Sequence, residues 1–123
     1  MKKILIIEDE KDLREALQSK LIANGYLVKT AETSEDGLQA ILANDIPDLI
    51  LLDVMTHSMH AALFMERIRN YSKETSAIKV IVLTNLDNDI TRQKVEVLGI
   101  EAYLVKSNTS LEAMSETVAK ALG

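Results

Sequence analysis

The chain has 123 residues and a net charge of −5, with 47% hydrophobic and 27% charged residues. This acidic balance argues against nonspecific binding to nucleic acid or anionic membranes, which needs a basic surface. The chain contains no cysteine, which excludes disulfides and thiol chemistry. No apolar stretch approaches the roughly 20 residues of a membrane helix. We therefore expect one cytoplasmic domain over 1–123, with no membrane or direct nucleic-acid partner and no second domain attached.

Short apolar, β-branched segments alternate along the chain with segments of helical periodicity. This alternation predicts βαβ units with right-handed crossovers, and hence an α/β fold with a doubly wound, five-stranded parallel sheet. The predicted strands lie near 3–8, 27–30, 49–53, 79–84 and 102–105. The predicted helices lie near 11–24, 34–43, 60–70, 88–98 and 110–122.

Helical spacing predicts the core-facing side chains and the helix ends. The side chains expected inside are Leu13, Ala16, Leu17, Leu21 and Ile22 of the first helix and Leu63, Phe64 and Ile68 of the third. Gly25 should supply a left-handed residue after the first helix, and Thr33 or Ser34 should cap the second. Thr109 and Glu112 have the spacing of a capping box, which predicts that Thr109 caps the last helix.

Polar residues follow four of the apolar strands, where each strand ends. They are Glu8 and Asp9, Asp53, Thr84 and Lys106. Ligands of open α/β sheets bind outside the carboxyl ends of the strands, so these side chains should converge on one edge. Taken singly, a surface lysine and a strand-end threonine are the commoner roles for Lys106 and Thr84. As a set, the five suit a divalent cation, a phosphoryl group and a nucleophile.

The chemistry of this set centres on Asp53 as a candidate nucleophile, because a carboxylate can attack phosphorus and form an acyl phosphate. Three carboxylates in one cleft repel one another unless a cation is present, and Mg²⁺ accepts such oxygen ligands. The ammonium of Lys106 and the hydroxyl of Thr84 could each hold a phosphoryl oxygen, where countercharge stabilises the transition state.

Four short motifs carry a resemblance that covers essentially the whole chain. They are Ile-Ile-Glu-Asp-Glu at 6–10, Leu-Leu-Asp-Val-Met at 51–55, Val-Leu-Thr-Asn at 82–85 and Tyr-Leu-Val-Lys at 103–106. With them the sequence resembles a response regulator receiver domain, the phospho-accepting part of two-component phosphorelay systems. The resemblance implies a flavodoxin-like sheet of order 2-1-3-4-5. It also implies a stand-alone signalling switch that assists its own phosphorylation and dephosphorylation, rather than an enzyme with turnover.

The resemblance further implies the metal ligands of this phosphoprotein. Asp53 would be the phosphoacceptor and a ligand of Mg²⁺, and Asp9 would bind the ion directly. Glu8 would bind it through water, and Met55 would offer its backbone carbonyl.

The same resemblance implies a switch and its partners. Thr84 and Lys106 would hold phosphoryl oxygens, and Tyr103 would turn inward as Thr84 moves toward the phosphoryl group. The surface around the fourth helix, last strand and fifth helix would then change, and a homodimer could form through it. The expected partners are a histidine kinase or phosphotransfer protein and a downstream protein target.

Two segments depart from the family pattern. After Asp53, His57 stands where receivers usually have proline, and His60 and Ala61 replace a usual Asp-Gly pair. We therefore expect a mobile 56–62 loop, an altered start of the third helix, and two exposed histidines without a structural metal. Ser107 replaces a proline commonly found in a cis peptide, so the Lys106–Ser107 peptide should be trans, because a non-proline cis bond costs about 2.5–4 kcal/mol.

Two other functions stay open on sequence grounds. A degenerate receiver could act only as a protein-interaction module, although all five site residues are present. An aspartate-nucleophile phosphohydrolase usually needs a second aspartate just after the nucleophile, and Met55 stands at that position.

Overall fold

The computed structural model describes residues 1–54, 59–85 and 87–123. Its strands are β1 (Lys3–Ile7), β2 (Leu27–Ala31), β3 (Leu49–Asp53), β4 (Lys79–Thr84) and β5 (Ala102–Val105). Its helices are α1 (Lys11–Ala23), α2 (Ser34–Leu42), α3 (Ala61–Tyr71), α4 (Lys73–Ser76), α5 (Asp89–Val97) and α6 (Leu111–Leu122), and a 3₁₀ turn spans Lys106–Asn108. In these residues, no helix is long and apolar enough to cross a membrane.

The five strands form one parallel sheet in the order β2-β1-β3-β4-β5. Both the doubly wound architecture and the 2-1-3-4-5 order are confirmed. The strand order reverses beside β1 and β3, which places the switch point between the two strands that precede Glu8 and Asp53. Ligands of such sheets bind in this crevice.

The core consists of two layers, one on each face of the sheet. Alternate residues of β3 point to opposite faces, so Ile50 and Leu52 pack against α2 and α3, while Leu49 and Leu51 pack against α1 and α6. All five residues of β3 are buried, as a continuous apolar segment in a parallel sheet predicts. The edge strand β2 is half exposed, so its side chains do not share that burial.

The observed elements differ from the predicted ones mainly by one added helix. The short helix α4 was missed, and its start is fixed by a reciprocal capping box between Ser72 and Thr75. The predicted fourth and fifth helices are therefore α5 and α6 of the structure. The other boundaries agree to within about two residues, which is the usual scatter between assignments.

Several local predictions were wrong, and others are confirmed. Ala16, Ile22 and Leu63 are exposed rather than buried, because each lies at the margin of its helix's apolar face. Ser110, not Thr109, caps α6 by accepting from the Ala113 N–H, while the Thr109 hydroxyl donates to the Val105 carbonyl. Two further expectations hold: Thr33 caps α2, and Gly25 follows α1 with φ of +97°.

Candidate phosphoacceptor site

Strand register brings the site together from residues far apart in sequence. Ile7 pairs with Leu52 across β1 and β3, so Glu8 and Asp53 follow side by side at the edge of the sheet. On the other side Asp53 pairs with Leu83, and Thr84 of β4 pairs with Val105 of β5. Thr84 directly follows Leu83, and Lys106 directly follows Val105. Both residues therefore stand at the same carboxyl edge as the carboxylates.

Three carboxylates meet at this edge. One oxygen from each of Glu8, Asp9 and Asp53 lies within 4.8 Å of the other two. Glu8 and Asp53 are buried, while Asp9 is partly exposed at the mouth of the crevice. Hard oxygen donors in such a cluster fit Mg²⁺, which binds through one or two carboxylates and keeps several waters.

Lys106 reaches into the cluster as its cation. Its ammonium lies 2.7 Å from Glu8 Oε1, 3.4 Å from Asp53 Oδ2 and 3.7 Å from Glu10 Oε2. The side chain is only 8% exposed, so the ion pairs with Glu8 and Asp53 are poorly screened by water. The contact between Lys106 and Glu10 was not predicted from the sequence, although the three consecutive acids at 8–10 indicate that a cation at this edge could reach all of them.

Burial and excess negative charge shape the titration of this cluster. Burial raises the pKa of Glu8 to about 7; the Lys106 contact opposes this rise, and neighbouring Asp53 adds to it. Burial acts to lower the pKa of Lys106, but its hydrogen bond to Glu8 and the charges of Asp53 and Glu8 prevail and raise it. Burial therefore sets the direction of the Glu8 pKa, whereas the surrounding carboxylates set the direction of the Lys106 pKa.

The residues of the proposed switch lie beside the cluster. Thr84 is 3% exposed at the end of β4. The hydroxyl of Tyr103 is already buried, with no hydrogen-bond partner among the described residues, so the expected inward turn is not needed to bury it. Arg92 of α5 lies 5.0 Å from the centroid of the Tyr103 ring, a cation–π contact that no sequence pattern predicts.

Some sequence predictions concern residues that the structure does not describe. Met55, with its proposed carbonyl ligand, and His57 fall in the 55–58 segment outside the described residues. Nearby, His60 is exposed as expected, while Met59 is buried. The Lys106–Ser107 peptide is trans, which confirms that expectation.

Comparison with known proteins places the chain in a family. A model of the response regulator receiver domain matches residues 4–119. The transcriptional regulatory protein AfsQ1 of Streptomyces coelicolor is 37% identical over 86% of this chain, and the probable transcriptional regulator ycf27 of Cyanidium caldarium is 33% identical over 94%. The chain covers 45% of each, so it spans about half the length of these relatives.

A solved structure supports the fold independently. The chemotaxis response regulator CheY4 of Vibrio cholerae superposes with a TM-score of 0.86 at 24% identity, over 98% of each chain. At this identity the likeness bears on the fold alone.

Proposed function

Since this chain belongs to the response regulator receiver domain family, we propose that it is a signalling switch whose Asp53 accepts a phosphoryl group. The observation that carries the proposal is the meeting of three carboxylates with Lys106 at the switch point of the sheet. Receiver domains interact with histidine kinases and effector domains. For this chain we propose a histidine kinase or phosphotransfer protein as donor and a downstream protein as target, in the cytoplasm typical of the family.

The transfer step forms one bond and breaks another. A carboxylate oxygen of Asp53 attacks phosphorus, the bond from phosphorus to the donor's imidazole nitrogen breaks, and that nitrogen keeps the electron pair and takes a proton. The product is an acyl phosphate on Asp53. Burial of Asp53 removes competing water from the carboxylate that attacks.

Lys106 and Thr84 are proposed to receive the phosphoryl oxygens. The ammonium already lies 3.4 Å from Asp53 Oδ2, so it stands beside any group attached to that carboxylate. Thr84 supplies a hydroxyl from the next strand end. Positioned donors of this kind stabilise the charge that spreads over the phosphoryl oxygens in the transition state.

Glu8, Asp9 and Asp53 are the residues that would hold Mg²⁺, with the Met55 carbonyl as a further proposed ligand. When bound, the ion would neutralise developing negative charge on the phosphoryl group. Asp9, partly exposed at the mouth, can reach an ion there without leaving its strand end.

The proposed output is a changed surface around α5, β5 and α6, through which a homodimer could also form. Thr84 would draw toward the phosphoryl group, and the adjoining Tyr103 ring, held under Arg92 of α5, would pass the change to that face. A ligand shifts a protein only by its differential affinity for two states. NMR chemical shifts of the backbone amides on this face should change when a phosphate mimic is added. In Thr84→Ala these shift changes should be absent.

Acetyl phosphate labelling tests the proposal. With Mg²⁺, the wild-type chain should gain one phosphoryl group by mass spectrometry, and Asp53→Asn should gain none. Asp12→Asn is the matched control, because Asp12 is an exposed acid of the first turn of α1 and should label as wild type does.

The other outcomes each overturn a part of the proposal. Undiminished labelling of Asp53→Asn would remove Asp53 as the acceptor. Release of many equivalents of inorganic phosphate from a phosphate monoester, a substrate that a self-dephosphorylating switch would not turn over, would indicate a phosphohydrolase. Failure of the folded wild type to label at all would leave only an interaction module.

A further inference from the structure

The turn that carries the first two acids is held from outside the cluster by one side chain of α1. Arg14 Nη1 donates to the backbone carbonyl of Glu8 at 2.9 Å, and to that of Asp9 in a longer contact of 3.4 Å. The Arg14 side chain is 13% exposed, although it belongs to a surface helix. A single guanidinium thus donates hydrogen bonds to the backbone carbonyls of both Glu8 and Asp9.

We propose that Arg14 is a positioning residue that sets the Glu8–Asp9 turn for binding the metal, an inference that rests on the proposed function of the site. The turn has other described attachments, among them the Lys106 ion pair with Glu8 and the bond from the Arg14 backbone N–H to the Glu10 carbonyl at 2.9 Å. The Glu8 N–H donates to the Ala31 carbonyl at 3.0 Å, and the Glu10 N–H donates to Glu8 Oε2 at 3.1 Å.

The need for such a hold follows from charge. Glu8, Asp9 and Glu10 are consecutive acids, and Asp53 faces them, so their carboxylates repel one another when ionised. Repulsion favours backbone conformations that spread them apart. Bonds from Arg14 to two successive carbonyls oppose that spreading, and they do so without involving any carboxylate oxygen.

The shape of the arginine matters more than its charge in this role. The guanidinium is a planar fork with several fixed donors, and here Nη1 serves the two carbonyls while Nη2 lies 3.5 Å from Glu32 Oε1. A lysine carries the same charge but only one nitrogen. The Glu32 carboxylate is 71% exposed, so this ion pair by itself contributes little.

Charge and geometry predict opposite effects on metal affinity. A positive charge near the site repels Mg²⁺, so if Arg14 acted through charge alone, Arg14→Gln would tighten binding and Arg14→Lys would leave it unchanged. If Arg14 acts by positioning, both variants weaken binding. Loss of residues that orient metal ligands typically costs 10–100-fold in affinity, so we expect about a tenfold loss for Arg14→Lys.

The experiment measures Mg²⁺ affinity by calorimetric titration of wild type, Arg14→Lys and Arg14→Gln, well below their unfolding temperatures. Lys20→Gln is the matched control: Lys20 is another cation of α1, paired with Glu112 at 2.6 Å, and its removal should change affinity by less than about threefold. A second measurement needs no metal. Exchange of the Glu10 amide hydrogen, bonded to Glu8 Oε2, should be about tenfold faster in Arg14→Lys.

Weaker Mg²⁺ binding in both Arg14 variants, with faster Glu10 exchange, supports the inference. Tighter binding in Arg14→Gln with unchanged binding in Arg14→Lys overturns it in favour of a charge effect. Lower unfolding temperatures with unchanged affinity overturn it in favour of a purely structural role. Absence of Mg²⁺ binding in folded wild type overturns the metal site itself, and that result differs from a failure confined to the variants.

Discussion

The ammonium of Lys106 lies 2.7 Å from Glu8 Oε1, closer than its 3.4 Å to Asp53 Oδ2. The lysine proposed to hold a phosphoryl oxygen is therefore paired first with a carboxylate that is not the acceptor. To serve a phosphoryl group on Asp53 it must give up part of this contact. A cation bound at Glu8 would lower this cost, and metal binding would then favour the release of Lys106 from Glu8.

The raised pKa of Glu8 predicts that the metal-free protein loses stability as pH rises. Burial raises the pKa of Glu8 from 4.5 to about 7, so between these pH values the folded state keeps a proton that the unfolded chain has released. The stability from this protonated carboxyl is complete below pH 4.5 and is lost as pH rises through about 7. Glu8→Gln should therefore be more stable than wild type at pH 8, by on the order of 3 kcal/mol.

Urea unfolding in EDTA at pH values from 4 to 8 checks this prediction. Glu15→Gln is the control, because Glu15 is an exposed acid of α1 and its replacement should track wild type. A stability difference between wild type and Glu8→Gln that stays constant over the whole pH range would contradict the assignment.

Tyr103→Phe should keep or raise stability. The hydroxyl is buried without a described hydrogen-bond partner, and an unsatisfied buried polar group costs about 1–3 kcal/mol. Removing it while keeping the ring under Arg92 should raise the free energy of unfolding by up to about 1 kcal/mol. Thermal unfolding measures this, with Tyr71→Phe, whose tyrosine is 61% exposed, as a neutral control. A clear loss of stability would show that the hydroxyl has a partner.

Arg69 should be far more important to stability than its neighbour Arg67. Its guanidinium donates to the carbonyls of Ser76, Ile78, Leu98 and Gly99, which joins the ends of α4 and α5 to the start of β4. Arg69→Ala should cost about 3 kcal/mol, because several partly buried carbonyls lose a charged donor. Arg67 is exposed on the same helix, and Arg67→Ala should stay within about 0.5 kcal/mol in urea unfolding. Equal effects of the two substitutions would refute this account.

Gly37 of α2 should resist replacement by alanine, although alanine is normally better by about 1 kcal/mol inside a helix. A Cβ at this position would lie 2.5 Å from Ile7 Cδ1, and Ile7 is fully buried. We expect Gly37→Ala to destabilise by about 1–3 kcal/mol. Ile7→Val removes the clashing atom, so the double variant should lose about 1 kcal/mol less than the sum of the two single losses. Additive losses would show that the clash is relieved elsewhere.

Much of the fold followed from local pattern. The apolar segment 49–53 is short and continuously aliphatic, and it lies at the centre of the sheet, where both faces are covered. The pattern was less informative at the margins. Leu63 and Ile22 fit the apolar periodicity of their helices yet are 41% and 53% exposed. Periodicity indicates which face of a helix is turned toward the sheet, but not how much of that face the sheet covers.

The sequence by itself determined which residues could form the site, because polar side chains that follow buried parallel strands must emerge at one edge of the sheet. Only the tertiary structure decided how they are paired. Glu8 with Lys106, Arg14 with the Glu8 and Asp9 carbonyls, and Arg92 with the Tyr103 ring are contacts between different elements. They depend on how helices pack against the sheet and on where long side chains reach, and a linear pattern of residues does not encode those distances.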